Sequence, residues 1–298
     1  MTRVIAVFKR EFMSYFNSLM AYFFMVIFLA AINMVYVWYS LLRTRTAVMN
    51  SYFDFAMVAL WIFIPAITMR SWSEEKKSGT LELMMTMPIR DLEAVLGKFF
   101  AALAFLGLTL GLSFLSIPPL LAYLGEPDWG PIIGGYAGLL MLGGSFIAVG
   151  LAISSVTEDQ FIAFLVSILI NLGLLGVAEL SDTSFAVLLL IFFIINPIIY
   201  VLTRVLLTGQ SSSQFWTLLI ANFVCALIVG IGEAIHVIKH FITPPAWLTQ
   251  AEGYLDAGHH FDSMSRGVID TRDVIYFVSV MAVFLYLNYR SVSSRRWQ

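Results

Sequence analysis

The sequence predicts an all-α protein that crosses a membrane many times, and three observations predict it. Hydrophobic residues make up 60% of the 298 and charged residues only 12%, with a mean hydropathy of +0.87. Charge-free runs of about 20 residues, the length a helix needs to span hydrocarbon, recur along the chain. The basic residues gather on alternate sides of those runs. A soluble domain is about a quarter charged, and 17 basic and 19 acidic side chains are too few to cover a water-facing surface. A soluble enzyme, a nucleic-acid binder and a disordered tail are therefore excluded. The lone Cys225 rules out an intrachain disulfide.

The elements follow in order. Residues 1–17 read as an amphipathic helix lying in the membrane interface. Val4, Ile5, Phe8, Phe12, Tyr15 and Phe16 share one face at helical spacing, with Arg3, Arg10, Ser14 and Asn17 opposite. Eight crossings are expected within residues 18–298, at about 18–42, 53–70, 99–125, 131–156, 160–179, 184–203, 213–238 and 273–290. The first run is too long for the apolar core of a signal peptide. Pro65, Pro118, Pro119 and Pro197 fall inside runs and read as kinks, because neighbouring helices satisfy the carbonyls they free. Asn196, Pro197 and the polar 209–214 turn leave two readings of the sixth and seventh runs: a spanning pair or a re-entrant hairpin.

Orientation follows from the Lys/Arg distribution. With the N-terminus in the cytoplasm, 12 of 17 basic residues lie inside, and 11 of 19 acids lie outside. Both termini are then cytoplasmic, which requires an even number of crossings.

Charge collects in one place. Ten of the 36 charged residues lie within residues 70–98, on the cytoplasmic side. Residues 71–77 carry a helix out of the bilayer, Gly79 breaks it, and Thr80 caps a short helix over 81–87 with Leu81, Met84 and Met85 on its apolar face. Pro88 ends that helix. A short amphipathic helix flanked by carboxylates offers a ridge for a partner's groove and charges for register. The plainer reading is a solvated helix end, and the residues alone leave both open.

The same residues carry a resemblance. The run EEKKSGTLELMMTMPIRDLEAVLGK, from Glu74 to Lys98, resembles the cytoplasmic loop of ABC-2 type transporter permeases. In that family E-x-x-x-G-T-x-E, a proline after a short helix, and G-K form the region that contacts the ATPase subunit. Glu75, Gly79, Thr80 and Glu82 match the core, Pro88 the helix end, and Gly97 with Lys98 the return into the membrane. IPAITMRSWSEEK at 64–76 and HFDSMSRGVIDTRDVIYF at 260–277 narrow the match to the permease subunit of gliding-motility-associated ABC transporters. The resemblance covers residues 1–180 and 257–298. It implies a six-helix core of the type V exporter kind, to which residues 185–239 add an extra hydrophobic hairpin. It also implies ATPase coupling through loop 71–98, with Glu74, Glu75, Lys77, Gly79, Thr80, Glu82 and Pro88 as coupling residues.

No G-x-x-x-x-G-K-[ST] loop is present, so the chain is expected to bind no cofactor and to leave ATP and Mg to a partner ATPase. His236 and His240 stand four residues apart, but no H-E-x-x-H accompanies them, and no metal site is expected. Asp54, Glu179, Asp182 and Glu233 fall at run ends, against a proton path. The outer loop 239–272 mixes Pro244, Pro245, Trp247 and Tyr254 with charges of both signs. It reads as solvated or, through the resemblance, as a contact for an extracytoplasmic partner, with His260, Phe261, Arg266, Asp270, Arg272 and Asp273 as the contact residues.

These readings describe a non-catalytic, multi-pass subunit of the bacterial inner membrane. Its expected partners are a cytoplasmic ABC ATPase, membrane lipids, and either a second copy or a second membrane subunit with a large extracytoplasmic domain. The output is export or work on an outer partner. An ATP-independent carrier or intramembrane enzyme is the alternative; it expects mid-membrane carboxylates or a His/Asp cluster.

Overall fold

The computed structural model describes residues 2–44, 48–80, 90–125, 127–175 and 256–294. The chain divides into two compact units, Met1–Leu172 with Ala257–Gln298, and Gly173–Asp256. Almost all of the second lies outside the described residues, and with it the expected crossings 184–203 and 213–238, the end of 160–179, and His236 and His240. Elements are numbered as they occur among the described residues, none of which forms a strand.

Helix α1, Thr2–Asn17, is separated by Ser18 from α2, Leu19–Tyr36, whose axis continues through a π-helical segment, Val37–Thr44. Then follow α3, Asn50–Thr68, and α4, Arg70–Lys77, which continue each other through Met69. α5 runs Asp91–Leu124, α6 Trp129–Val156 and α7 Gln160–Leu174. Short α8, Ala257–Ser265, precedes the terminal α9, Thr271–Ser294.

Among the described residues, five stretches are long and apolar enough to cross a membrane: Ala21–Thr44, Asn50–Lys77, Asp91–Leu124, Trp129–Val156 and Thr271–Ser294. The protein is thus all-helical and multi-pass over its described residues. Pro65 lies inside α3 and Pro118 with Pro119 inside α5, and neither helix ends there. Below Pro65 the turn is rejoined by the Met69 amide, which donates to the Pro65 carbonyl at 2.9 Å.

The bundle is organised around α6, against which α3, α4, α5, α8 and α9 all pack. Its most apolar window is 78% buried, against 11% for α9, so α6 is the axle of the unit and α9 its outer wall. Small residues let it serve so many neighbours. A Cβ on Gly150 would collide with the Thr68 side chain of α3, and one on Gly135 with the Phe53 ring. α1 lies against α5 in the same manner: a Cβ on Gly97 would sit 2.6 Å from Val7 Cγ1. That contact gives α1 a buried residue outside the apolar face expected from the sequence. Val7 is its buried centre and Ile5 is exposed, while Tyr15 and Phe16 pack on the Phe105 ring of α5.

Candidate functional site

The charged segment between the second and third spans begins as a rigid arm. α4 carries the axis of α3 onward, and three side chains tie it to its surroundings. Ser154 of α6 accepts hydrogen bonds from the Trp72 and Ser73 amides, at 3.1 and 3.2 Å, and donates to the Met69 carbonyl at 3.0 Å. Helix starts leave their first amides without intrahelical partners, and α4 has no side-chain cap of its own. Ser154 therefore caps α4 from a neighbouring helix. In return the Lys76 ammonium donates to the Ser155 carbonyl and, at 3.3 Å, to the Thr157 carbonyl at the end of α6. A cation there complements the helix dipole. Ser291 of α9 also donates to the Ser155 carbonyl, at 3.1 Å, bringing a third helix to the same point.

The third tie is Lys98, on the second turn of α5. Its side chain is only 1% exposed. Nζ donates to the Ser71 carbonyl at 2.8 Å and to Glu75 Oε1 at 2.9 Å, and lies 3.3 Å from Glu11 Oε1. It also sits 4.8 Å from the centroid of the Trp72 ring, within cation–π range. Arg10 closes the cluster, reaching Glu11 at 2.5 Å and Glu75 at 3.3 Å. Two cations and two carboxylates thus join α1, α4 and α5. A buried ammonium is tolerated only when paired and hydrogen-bonded, and Lys98 meets that condition through groups from two other helices. Burial pushes the Glu11 carboxyl up, but the Lys98 ammonium and the Arg10 guanidinium outweigh it, and the carboxyl is held below its usual value.

Of the residues assigned to coupling, Glu75 is half-buried inside this cluster, while Glu74, Lys77, Gly79 and Thr80 are exposed at the far end of α4. Gly79 turns the chain with φ 71°, a left-handed conformation that ends the helix and favours glycine. The Ser78 hydroxyl bonds back to the Glu74 carbonyl at 2.8 Å, and that of Thr80 to the Glu75 carbonyl at 3.3 Å. Glu82 and Pro88, with the short helix expected at 81–87, lie outside the described residues. The chain resumes at Arg90, whose amide donates to the Glu93 carboxylate at 3.0 Å and starts α5.

Glu11, Arg10, Arg70 and Ser154 were not singled out by sequence reasoning as site residues. Glu11 had a signal, being the one acid in an otherwise basic helix. Lys98 had another, a charge beside Gly97 at the end of an apolar run, where a close helix must bring the counter-charge.

The six residues expected at an outer contact separate into two groups. His260, Phe261 and Asp273 are buried, and Arg266, Asp270 and Arg272 are exposed. His260 Nδ1 lies 2.7 Å from Asp273 Oδ1, the Ser263 hydroxyl donates to Oδ2, and the imidazole stacks on Tyr276 at 4.3 Å. The His260 imidazole and the Ser263 hydroxyl both bond the carboxylate, so Asp273 is a clamp between α8 and α9. The intervening turn, with Gly267 at φ 86°, presents Val268 and Ile269 at 61% and 56% exposure among the three charges.

No curated protein matches the chain. The family model described as "ABC-2 family transporter protein" matches residues 43–232. That span takes in α3, the arm, α5, α6 and α7, and it covers well over half of the chain. The described residues form an all-helical, multi-pass bundle with a charged arm rising from its second span, and by the family match the chain belongs to the ABC-2 transporter family.

Proposed function

We propose that this chain is the membrane-spanning subunit of a bacterial ABC transporter, driven by a separate cytoplasmic ATPase that docks on residues 71–98. One observation carries the proposal: the exposed tip of α4 belongs to an arm tied to α6 by Ser154 and Lys76 and to α5 and α1 by Lys98. A load applied at Glu74, Lys77, Gly79 and Thr80 therefore reaches the central helix without passing through a flexible joint. ATP shifts such a bundle only by binding its two states differently. Closure of an ATPase pair, which moves the docked surface, supplies that difference.

In this reading the inner-membrane subunit has both termini in the cytoplasm, and α1 lies in the membrane interface. It works as a homodimer or beside a second membrane subunit with a large extracytoplasmic domain, as in the gliding-motility-associated group. Val268 and Ile269, exposed on the α8–α9 turn between Arg266, Asp270 and Arg272, support work on an outer partner alongside export. Exposed apolar residues ringed by charge are the composition of a contact surface.

The test is co-purification. Extracted in mild detergent from its native host, the chain should retain an ABC ATPase encoded beside it. Glu74→Lys combined with Lys77→Glu should release that ATPase while the melting temperature holds. Failure to retain any ABC ATPase would refute the reading.

A further inference from the structure

A cavity of about 310 Å³ lies between α1, α2, the α3–α4 junction and the start of α5. Ala21, Phe24, Ala66 and Ile67 form an apolar wall continuous with the spans. Its charged end is lined by Arg70, Glu74, Glu75 and Lys98, with Ser14 and Ser18 also at the cavity; Arg70 and Glu74 follow Ala66 one and two turns further along the same helix face. A space with an apolar end and a charged end fits an amphiphile.

The charges narrow the class. Arg10 and Lys98 balance Glu11 and Glu75, and Arg70 and Glu74 remain. These two stand at i and i+4 on one helix, a spacing at which opposite charges ordinarily pair. Among the described residues, however, neither the Arg70 guanidinium nor the Glu74 carboxylate has an ion pair or hydrogen bond. Two atoms at the cavity are buried without a partner: Nε of that Arg70 guanidinium, a donor, and Glu75 Oε2, an acceptor. Leaving such groups unsatisfied is costly, the more so when they are charged. A ligand that meets both carries an acceptor for Arg70 and a donor for Glu75, and the charges of Arg70 and Glu74 favour an anionic acceptor and a cationic donor. Arginine favours phosphate oxygens for that role.

We propose that this cavity holds the amino-phosphate headgroup of a zwitterionic phospholipid, Arg70 taking the phosphate and Glu74 with Glu75 the ammonium. The acyl chains leave along Phe24 and Ile67 into the bilayer at that end of the bundle. A seated headgroup occupies the space between α1 and the charged face of α4, making the arm sensitive to lipid composition whether or not an ATPase docks there.

Native mass spectrometry of the full chain in mild detergent tests this, with phosphatidylethanolamine, phosphatidylglycerol, free phosphoethanolamine and inorganic phosphate as probes. Phosphatidylethanolamine should be retained in preference to the other three, and Arg70→Gln should weaken its retention about tenfold or more. Glu74→Gln should remove the preference over phosphatidylglycerol. Should Arg70→Gln fail to fold, Ser14→Trp, at the exposed rim, fills the cavity without removing a charge and should lower retention equally. Retention unchanged by Arg70→Gln or by Ser14→Trp would overturn the proposal, as would equal retention of phosphatidylglycerol by the wild type. Free phosphoethanolamine or phosphate binding as tightly as the lipid would overturn its assignment to a phospholipid.

Discussion

Lys98 Nζ lies 2.9 Å from Glu75 Oε1, a contact made across 23 residues of sequence and almost sealed from solvent. It closes the base of the charged segment as a clasp closes a loop. The ion pair thus holds α4 and α5 together while the tip beyond Lys77 stays exposed.

Removing one partner of a buried pair is costly because the other charge is left uncompensated, by about 3–5 kcal/mol. Lys98→Ala should destabilise the chain by about that amount, since Glu11 and Glu75 would then face each other without the buried cation between them. Glu75→Gln should cost less, because Glu11 remains to pair with Lys98. Denaturation of the purified chain in detergent, with the double variant completing the cycle, measures the coupling.

The depressed Glu11 carboxyl makes stability depend on pH with a definite sign. A group whose pKa is lower in the folded state contributes stability that is complete above its unfolded pKa and is lost as pH falls through the folded value. The network contribution should therefore be intact at neutral pH and fade only below the usual carboxylate range near 4.5. Glu11→Gln should flatten the acid limb of melting temperature against pH below the usual carboxylate value of 4.5. An unchanged limb would remove Glu11 from the cluster.

Ser154 satisfies two amides and one carbonyl of the arm, so Ser154→Ala should loosen α4 from α6. The expected cost is about 1–3 kcal/mol, that of buried backbone groups left unsatisfied. Hydrogen exchange should rise at Trp72 and Ser73 and stay unchanged in the middle of α6. Ser154→Thr, which keeps the hydroxyl, should protect both amides.

Much of this architecture is legible in the sequence. Five spans follow from apolar length, and the position of the arm follows from charge density, because a membrane protein has few places to put charge. Gly79 is readable as a helix stop because a left-handed turn selects glycine. What periodicity does not reveal is which charges face each other. Glu74 and Glu75 are adjacent and chemically alike, yet one is exposed and the other meets Lys98, because successive helix residues point about 100° apart. The burial of Val7, which stands outside the expected apolar face, was illegible for a similar reason: it is set by Gly97, a partner 90 residues away.

The outer residues separate by burial, and their variants should too. Asp273→Ala removes the acceptor shared by His260 and Ser263, so it should lower the melting temperature and release α8 from α9. Arg266→Ala and Arg272→Ala, both exposed, should leave it within the ±0.5 kcal/mol or so typical of surface positions. Differential scanning fluorimetry on the three variants decides the division.

The most direct test of ATPase docking is site-specific crosslinking in a Cys225→Ser background. A photoreactive label on Thr80→Cys or Lys77→Cys should capture the ABC ATPase, with a yield that changes when nucleotide closes the ATPase pair. The same label on Arg272→Cys should capture none. Absence of any ATPase adduct from positions 77 and 80, or an adduct formed from position 272 instead, would contradict the assignment of residues 71–98 as the driven surface.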